Sequence, residues 1–136
     1  MNKNLYDLRI DVKDAYIKAL AIIALSDEVL TDDEKEFIEQ KALLLDVNIS
    51  GLWEKKYTLN DLEMFCDLPK EIRISLISDS ITLAWIDGDF DPRERQDIYA
   101  IAKKMKIEES IVDEIENWLL DYKKIMEKAK ELFIYT

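Results

Sequence analysis

Apolar residues occupy eight of the thirteen positions from Ile74 to Ile86. A helix that is apolar on most sides is surrounded by other elements. Pro69 stands where a first helical turn accepts proline, and Gly88 stands where a helix commonly ends. The pattern therefore predicts a buried helix over residues 69–86, around which the rest of the chain is arranged.

Spacings of three and four between apolar residues predict an amphipathic helix over residues 4–27, with a break near Asp11. A second helix is predicted over residues 32–46. Thr31 is a suitable N-cap for this helix, and Glu34 follows three residues later. This combination forms a capping box, in which each side chain binds the other residue's backbone amide.

The region 48–68 is less regular, and Ser50 and Thr58 are candidate caps of short helices there. Further on, apolar residues at helical spacing predict a helix that begins at Pro92. The last segment, Glu108–Phe133, is expected to form one long helix. Trp53, Trp85 and Trp118 are expected in core or half-buried positions, and Cys66 is expected to be a small core residue.

The two halves of the chain align without a gap when one is shifted by 60 positions. Asp27 then meets Asp87, and Glu34 meets Glu94. Two helical hairpins with the same turn chemistry indicate a duplication. The repeats cover approximately residues 12–50 and 72–110.

Composition supports a helical fold, because the 136 residues include only two glycines and two prolines and are 49% hydrophobic. We expect a single all-α domain over residues 1–136. Its predicted architecture is a compact helical bundle of about six to eight helices, built from two repeated hairpins.

A net charge of −11 disfavours binding to nucleic acid and to anionic membranes, and it is also compatible with a role in solubility alone. The single cysteine excludes a disulfide within the chain and fits a reducing compartment. No apolar run is long enough to span a bilayer, and the N-terminus lacks the apolar core of a signal peptide. We therefore expect a cytoplasmic protein without direct membrane insertion.

One segment resembles a known family. The sequence Ala84-Trp-Ile-Asp-Gly-Asp-Phe-Asp-Pro-Arg-Glu94 is similar to the pattern Ala-x-x-Asp-Gly-x-[Ile/Leu/Phe]-x-x-x-Glu of TerB-like proteins. These include the tellurite-resistance TerB family and the N-terminal domain of membrane-anchored DnaJ-like chaperones. The resemblance extends over most of residues 10–120, although the first copy has Glu28 where the pattern has glycine. It implies an all-helical fold, acidic residues that bind a divalent metal, and a link to toxic-oxyanion stress or phage defence.

The acidic residues of the two turns also suggest cation binding on their own chemistry. Asp27 and Asp87 each lie at the C-terminal end of a predicted helix, where a negative charge interacts unfavourably with the helix dipole at a cost of about 0.3–1 kcal/mol. Turn amides, a lysine or a bound cation could compensate this charge. In the second turn Asp89 and Asp91 add further carboxylates, and oxygen ligands of this kind suit calcium, magnesium or manganese. The alternative is that Asp87 accepts hydrogen bonds from turn amides and that the glutamates only cap helices.

Two functions therefore remain open. The first is a non-enzymatic acidic module that binds a divalent cation through its duplicated turns, in a tellurite-resistance-like stress response. The second is a protein-interaction scaffold whose acidic face docks a basic partner and that binds no metal. Both admit a monomer or a homodimer, and an enzyme is disfavoured because the chain has no histidine. The candidate metal ligands are Asp27, Glu34, Asp87 and Glu94, with Asp89 and Asp91 secondary.

Overall fold

The structure is a computed structural model that describes residues 9–26, 30–86 and 92–133. Within these ranges the chain is all-helical and contains no strand, so the predicted fold class is confirmed. The α-helices are α1 (Ile10–Ser26), α2 (Asp32–Leu45), α3 (Lys70–Ile86), α4 (Pro92–Lys104) and α5 (Glu109–Phe133). Two 3-10 helices, Leu52–Glu54 and Leu59–Phe65, connect α2 to α3.

The helices follow the repeat found in the sequence. α1 and α3 both have 17 residues, and each bound of α3 lies 60 positions after that of α1. The starts of α2 and α4 are also 60 positions apart. The described chain therefore contains two helical hairpins in equivalent registers, α1–α2 and α3–α4.

The two hairpins also end in the same way. Asp46 after α2 and Lys106 after α4 both adopt the left-handed conformation, with φ of 58° and 57°. The next residue of each donates its backbone amide to an alanine carbonyl at 2.9 Å, from Val47 to Ala42 and from Ile107 to Ala102. This six-to-one bond is the Schellman ending of a helix.

α1 and α3 form the centre of the bundle. In α3, no side chain from Ile72 to Ile86 is exposed, as the apolar pattern predicts. α1 has no exposed side chain from Ala15 to Leu25 either, so its predicted amphipathic character is wrong for this stretch. Ala19, Ala21 and Ala24 are buried in α1, which contacts α2, α3 and the second 3-10 helix. The helix begins at Ile10, whereas the prediction also placed Arg9 in the helix.

The connection between the hairpins departs from prediction at two positions. Ser50 does not cap a helix; its amide donates to the Asn48 side chain at 2.9 Å, and Gly51 precedes the first 3-10 helix with φ of 76°. Thr58 is the N-cap of the second 3-10 helix, as predicted, and its amide donates to the Asp61 carboxylate at 2.8 Å. Cys66 is half-buried rather than a core residue.

Candidate functional site

The structure describes the helices that flank both acidic turns. α1 ends at Ser26 and α3 at Ile86, while α2 begins at Asp32 and α4 at Pro92. The two connections are therefore equal in length and occupy equivalent places in the two hairpins. Four predicted ligands lie outside the described residues: Asp27, Asp87, Asp89 and Asp91.

Glu34 forms the predicted capping box with Thr31. Its carboxylate Oε1 accepts hydrogen bonds from the Thr31 amide at 3.2 Å and from the Thr31 hydroxyl at 3.0 Å. Its own amide donates to the Thr31 hydroxyl oxygen at 3.1 Å. Glu34 is only 6% exposed, so this carboxylate has a structural role at the start of α2.

Glu94 occupies the equivalent third position of α4 and is half-buried. Among the described residues, no three acidic, histidine or cysteine side chains come together in a group that could hold a metal ion. Glu34 and Glu94 are the candidate ligands that the structure places, and cation binding by the full set remains a prediction.

Buried charges occur elsewhere, at the junction of α1, α2 and α3. Asp79 is 9% exposed and accepts a hydrogen bond from the hydroxyl of the fully buried Tyr16. Both of its carboxylate oxygens lie 3.1 Å from Lys41 Nζ. Burial, followed by the nearby Asp79 charge, raises the pKa of Tyr16 well above its ordinary value. This cluster joins both hairpins and was not predicted, because the three residues are far apart in sequence.

A second polar cluster fixes α5 to α4. The Arg95 guanidinium binds both oxygens of Glu116, at 3.0 Å and 2.5 Å, and Glu116 is 8% exposed. Nearby, the Tyr99 hydroxyl donates to Asp113. These contacts hold the first half of α5 firmly against the second hairpin.

The Tyr99–Asp113 bond has a counterpart in the first half of the chain. At the positions 60 residues earlier, Trp53 Nε1 donates to Glu39 at 3.4 Å. The donor and the acceptor have exchanged places, but the same two positions form a hydrogen bond in each half. The repeat is therefore preserved in side-chain contacts as well as in helix bounds.

α5 runs parallel to α3 and extends beyond it. Near their starts, Lys70 of α3 lies 4.0 Å from Glu108, just before α5. Fifteen positions later in both segments, Lys123 Nζ lies 5.6 Å from the centre of the Trp85 ring. Since α3 ends at Ile86, which this offset places level with Lys124, the remaining nine residues of α5 continue for about 14 Å past the last residue of α3.

One face of α5 is apolar and exposed. Trp118 is 61% exposed, Tyr122 53%, Ile125 65% and Leu132 53%. The Trp118 and Tyr122 rings stack with their centres 6.0 Å apart. We call these four residues the α5 stripe. The expectation that Trp118 is a core or half-buried residue is wrong, because the opposite face of the helix, with Val112 and Leu119, packs into the bundle.

Charges divide α5 into two halves. The segment 108–121 carries only acidic residues among its charged side chains, whereas lysines predominate in residues 123–130. The acidic residues are Glu108, Glu109, Asp113, Glu114, Glu116 and Asp121, and the lysines are Lys123, Lys124, Lys128 and Lys130. The stripe thus runs from an acidic to a basic surface.

A shallow cavity lies between α1 and the loop before the second 3-10 helix. Its volume is about 150 Å³, and Asp14, Lys18, Asn48 and Tyr57 contribute to its lining. Pockets that hold small organic ligands usually measure about 300–1,000 Å³. This cavity is therefore too small to support a substrate site.

Comparison with protein-family models, curated proteins and solved structures found no match to this chain. The resemblance to TerB-like proteins therefore rests on the acidic-turn motif and the duplication. Among the described residues, no helix combines the length and the apolar composition needed to cross a bilayer.

Proposed function

We propose that this protein is a non-enzymatic protein-interaction module and that the α5 stripe is its partner-binding surface. The observation that carries the proposal is the exposure of four large apolar side chains along one helix face. Contiguous exposed apolar patches on a globular domain commonly mark interaction sites. An amphipathic helix with its apolar face free is also a recurrent recognition element.

The charges beside the stripe indicate the chemistry of a suitable partner. Exposed acidic side chains accompany its first turns, among them Asp113, Glu114 and Asp121. A partner that presents apolar side chains flanked by lysine or arginine would complement this half of α5 in both respects. This agrees with the sequence-based expectation of an acidic face that docks a basic partner.

Two sequence features support a binding role over a catalytic one. The chain has no histidine, the residue most often used for proton transfer near neutral pH. Its single cysteine, Cys66, is half-buried, which restricts access to the thiol.

Site-specific photocrosslinking tests the proposal. A photoreactive amino acid replaces Ile125 in the stripe, and the control carries it at Gln96, which is exposed on α4. After irradiation under native conditions, we expect a crosslinked product from position 125 and none from position 96. The mass of the product distinguishes a second copy of the chain from a different protein. A second stripe variant carries the photoreactive amino acid at position 118. The absence of a product from both position 125 and position 118 would contradict the proposal.

A stability comparison tests whether the stripe belongs to the fold instead. Ile125→Ala should change the free energy of unfolding by less than about 0.5 kcal/mol, as for other exposed positions. The matched change Leu119→Ala, on the buried face of the same helix, should cost about 2–5 kcal/mol. Equal losses in urea titrations of dilute protein would show that the stripe is part of the core, and the interaction role would be wrong.

Cation binding by the acidic turns is the second candidate. The equivalent ends of α1 and α3, and the equivalent starts of α2 and α4, favour it because they give both turns the same flanking geometry. The proposed ligands are Asp27, Glu34, Asp87 and Glu94, with Asp89 and Asp91 secondary. As the TerB-like resemblance implies, such a site would serve a stress response.

Melting curves in chelator and then with calcium, magnesium or manganese test the cation site. A ligand at a hundred times its Kd adds about 2.7 kcal/mol, which corresponds to roughly 5–15 °C in a domain of this size. Asp87→Asn should abolish the shift and stabilise the metal-free protein. If the carboxylate only binds turn amides, the same change costs about 1 kcal/mol and no cation raises the melting temperature.

A further inference from the structure

We propose that two copies of this chain associate through α5 as an antiparallel coiled coil. This inference rests on the proposed function, since it identifies the partner of the α5 stripe as a second copy. Three observations carry it: the spacing of the apolar residues, the sizes of the residues that would face each other, and the charge division of the helix.

The apolar residues of α5 follow a heptad pattern. Steps of four and three alternate without interruption along the helix, which is the spacing of a coiled-coil seam. Val112, Leu119, Met126 and Phe133 each directly follow a seam residue and widen the apolar face on one side. The seam consists of Ile111, Ile115, Trp118, Tyr122, Ile125, Ala129 and Leu132. Its first two residues are half-buried against the bundle, and exposure begins at Trp118.

Side-chain size favours an antiparallel arrangement. With a two-fold axis between Tyr122 and Ile125, these two residues face each other across the interface. Trp118 then faces Ala129 of the second copy, so that the largest residue of the seam lies opposite the smallest. A parallel arrangement would place tryptophan against tryptophan and alanine against alanine, leaving layers of very different width.

The charges favour the same arrangement. In antiparallel helices, the acidic first half of α5 lies beside the lysine-rich second half of the other copy. Asp121 and Lys128 both precede seam residues directly, and the two-fold axis brings each close to the other residue of the second copy. Because the axis generates each contact twice, two such ion pairs would flank the central layers.

The overall geometry allows the pairing. The second half of each α5 extends beyond α3 of its own bundle, as the Lys123–Trp85 contact shows. In the antiparallel dimer this extension lies along the first half of the other α5, and the two bundles are placed at opposite ends. The net charge of −11 on each copy opposes association, but at physiological ionic strength it is screened over about 8 Å.

The charge gradient also stabilises an isolated helix, because acids near its start and lysines near its end interact favourably with the helix dipole. The test must therefore depend on the seam as well as on charge. Sedimentation equilibrium of the full chain from about 1 µM to about 1 mM covers the Kd range of weak reversible association. We expect a concentration-dependent rise in mass from 16.0 kDa towards twice that value.

Ile125→Asn removes a central seam contact and should raise the Kd about tenfold or more. The matched control is Ile10→Asn, because Ile10 is 58% exposed on α1, away from the seam, and its replacement should leave the Kd unchanged. Circular dichroism confirms that both variants remain folded. A wild-type chain that stays at 16.0 kDa throughout, or equal effects of the two substitutions, would overturn the proposal.

Charge exchange tests the orientation. Asp121→Lys and Lys128→Asp should each weaken the dimer, since each places like charges opposite one another. The double exchange should restore the wild-type Kd, and failure to restore it would overturn the antiparallel arrangement. A monomer that still crosslinks a different protein through position 125 would overturn the dimer and leave the proposed function standing. A monomer with no crosslinked product from the stripe would contradict both.

Discussion

Asp79 is a carboxylate placed inside a helical bundle, where an unpaired charge would be strongly destabilising. The Tyr16 hydroxyl and the Lys41 ammonium satisfy it, and these partners come from α1 and α2. The position equivalent to Asp79 in the first hairpin is Ala19. The charged cluster therefore breaks the symmetry of the repeat and links the two hairpins. An apolar residue in place of any one member would leave its partners in the cluster without that contact.

The raised pKa of Tyr16 makes stability depend on pH in a predictable direction. In the unfolded chain a tyrosine loses its proton near pH 10, whereas the folded protein retains the proton to higher pH. The unfolded state then binds fewer protons than the folded one, so stability falls as the pH rises above about 10. The contribution is present in full below that pH.

Tyr16→Phe tests this linkage. Near pH 7 the loss of the hydrogen bond to a charged acceptor should cost about 1.5–3 kcal/mol. Above pH 10 the wild-type advantage should shrink by up to about 1.4 kcal/mol per pH unit, because the phenylalanine variant lacks the ionising group. Urea titrations from pH 8 to about pH 11 measure the difference, with Tyr122→Phe on the exposed stripe as the control. A difference that stays constant over this range would mean that Tyr16 does not control alkaline stability.

At the scale of the elements, the two hairpins share an unfavourable feature at their ends. Asp46 and Lys106 adopt a left-handed conformation in which a side chain is sterically disfavoured. Arg73 supports the second ending, since its guanidinium donates to the Met105 carbonyl at 2.8 Å. The Schellman bonds are kept although neither hairpin has the glycine that commonly occupies this position.

Glycine at either position should therefore stabilise the protein. Asp46→Gly and Lys106→Gly each remove a side chain from a left-handed backbone position, which relieves its steric strain. Part of that gain is offset by the greater backbone freedom of glycine in the unfolded chain. We expect a net gain of about 0.5–1 kcal/mol for each. Ala100→Gly, at an exposed position inside α4, is the control and should cost about 1 kcal/mol. Thermal unfolding measures all three, and a loss at both ends would show that the native side chains stabilise these turns.

Local signals explain which elements the sequence predicted well. Thr31 and Pro92 mark helix starts through chemistry that lies within a few residues, and both helices begin where expected. The outer face of α5 was mispredicted because the spacing of Trp118 and Ile125 resembles that of a core helix. Periodicity shows that a helix has an apolar face, but it does not show whether the same chain covers that face. Only the structure shows that α3 and α4 pack on the face of α5 with Val112 and Leu119 and leave the stripe exposed.

The same limit applies to the candidate sites. The capping role of Glu34 was foreseen as an alternative to metal binding, because both partners lie within one helical turn. The cluster around Asp79 could not be foreseen, since its members are separated by 38 and 63 positions. Sequence pattern located caps and repeats, while buried ion pairs depend on how the helices cross.

At the scale of the whole molecule, the two hairpins do not have separate cores. α1 packs against α3 and the second 3-10 helix, and a single cluster of buried apolar residues includes members of both hairpins. Loss of one hairpin would expose the apolar surface of the other. We therefore expect the two hairpins to unfold as one cooperative unit.

Two tryptophan reporters test this cooperativity. A variant with Trp85→Phe and Trp118→Phe keeps Trp53 as a probe of the first hairpin, while Trp53→Phe with Trp118→Phe keeps Trp85 for the second. Both remaining tryptophans are half-buried, so their fluorescence should change on unfolding. Within each variant, fluorescence and circular dichroism should give the same midpoint in urea, because the shared core is lost in one step. Distinct midpoints would mean that one hairpin survives alone and that the Tyr16–Asp79–Lys41 cluster does not couple the two halves.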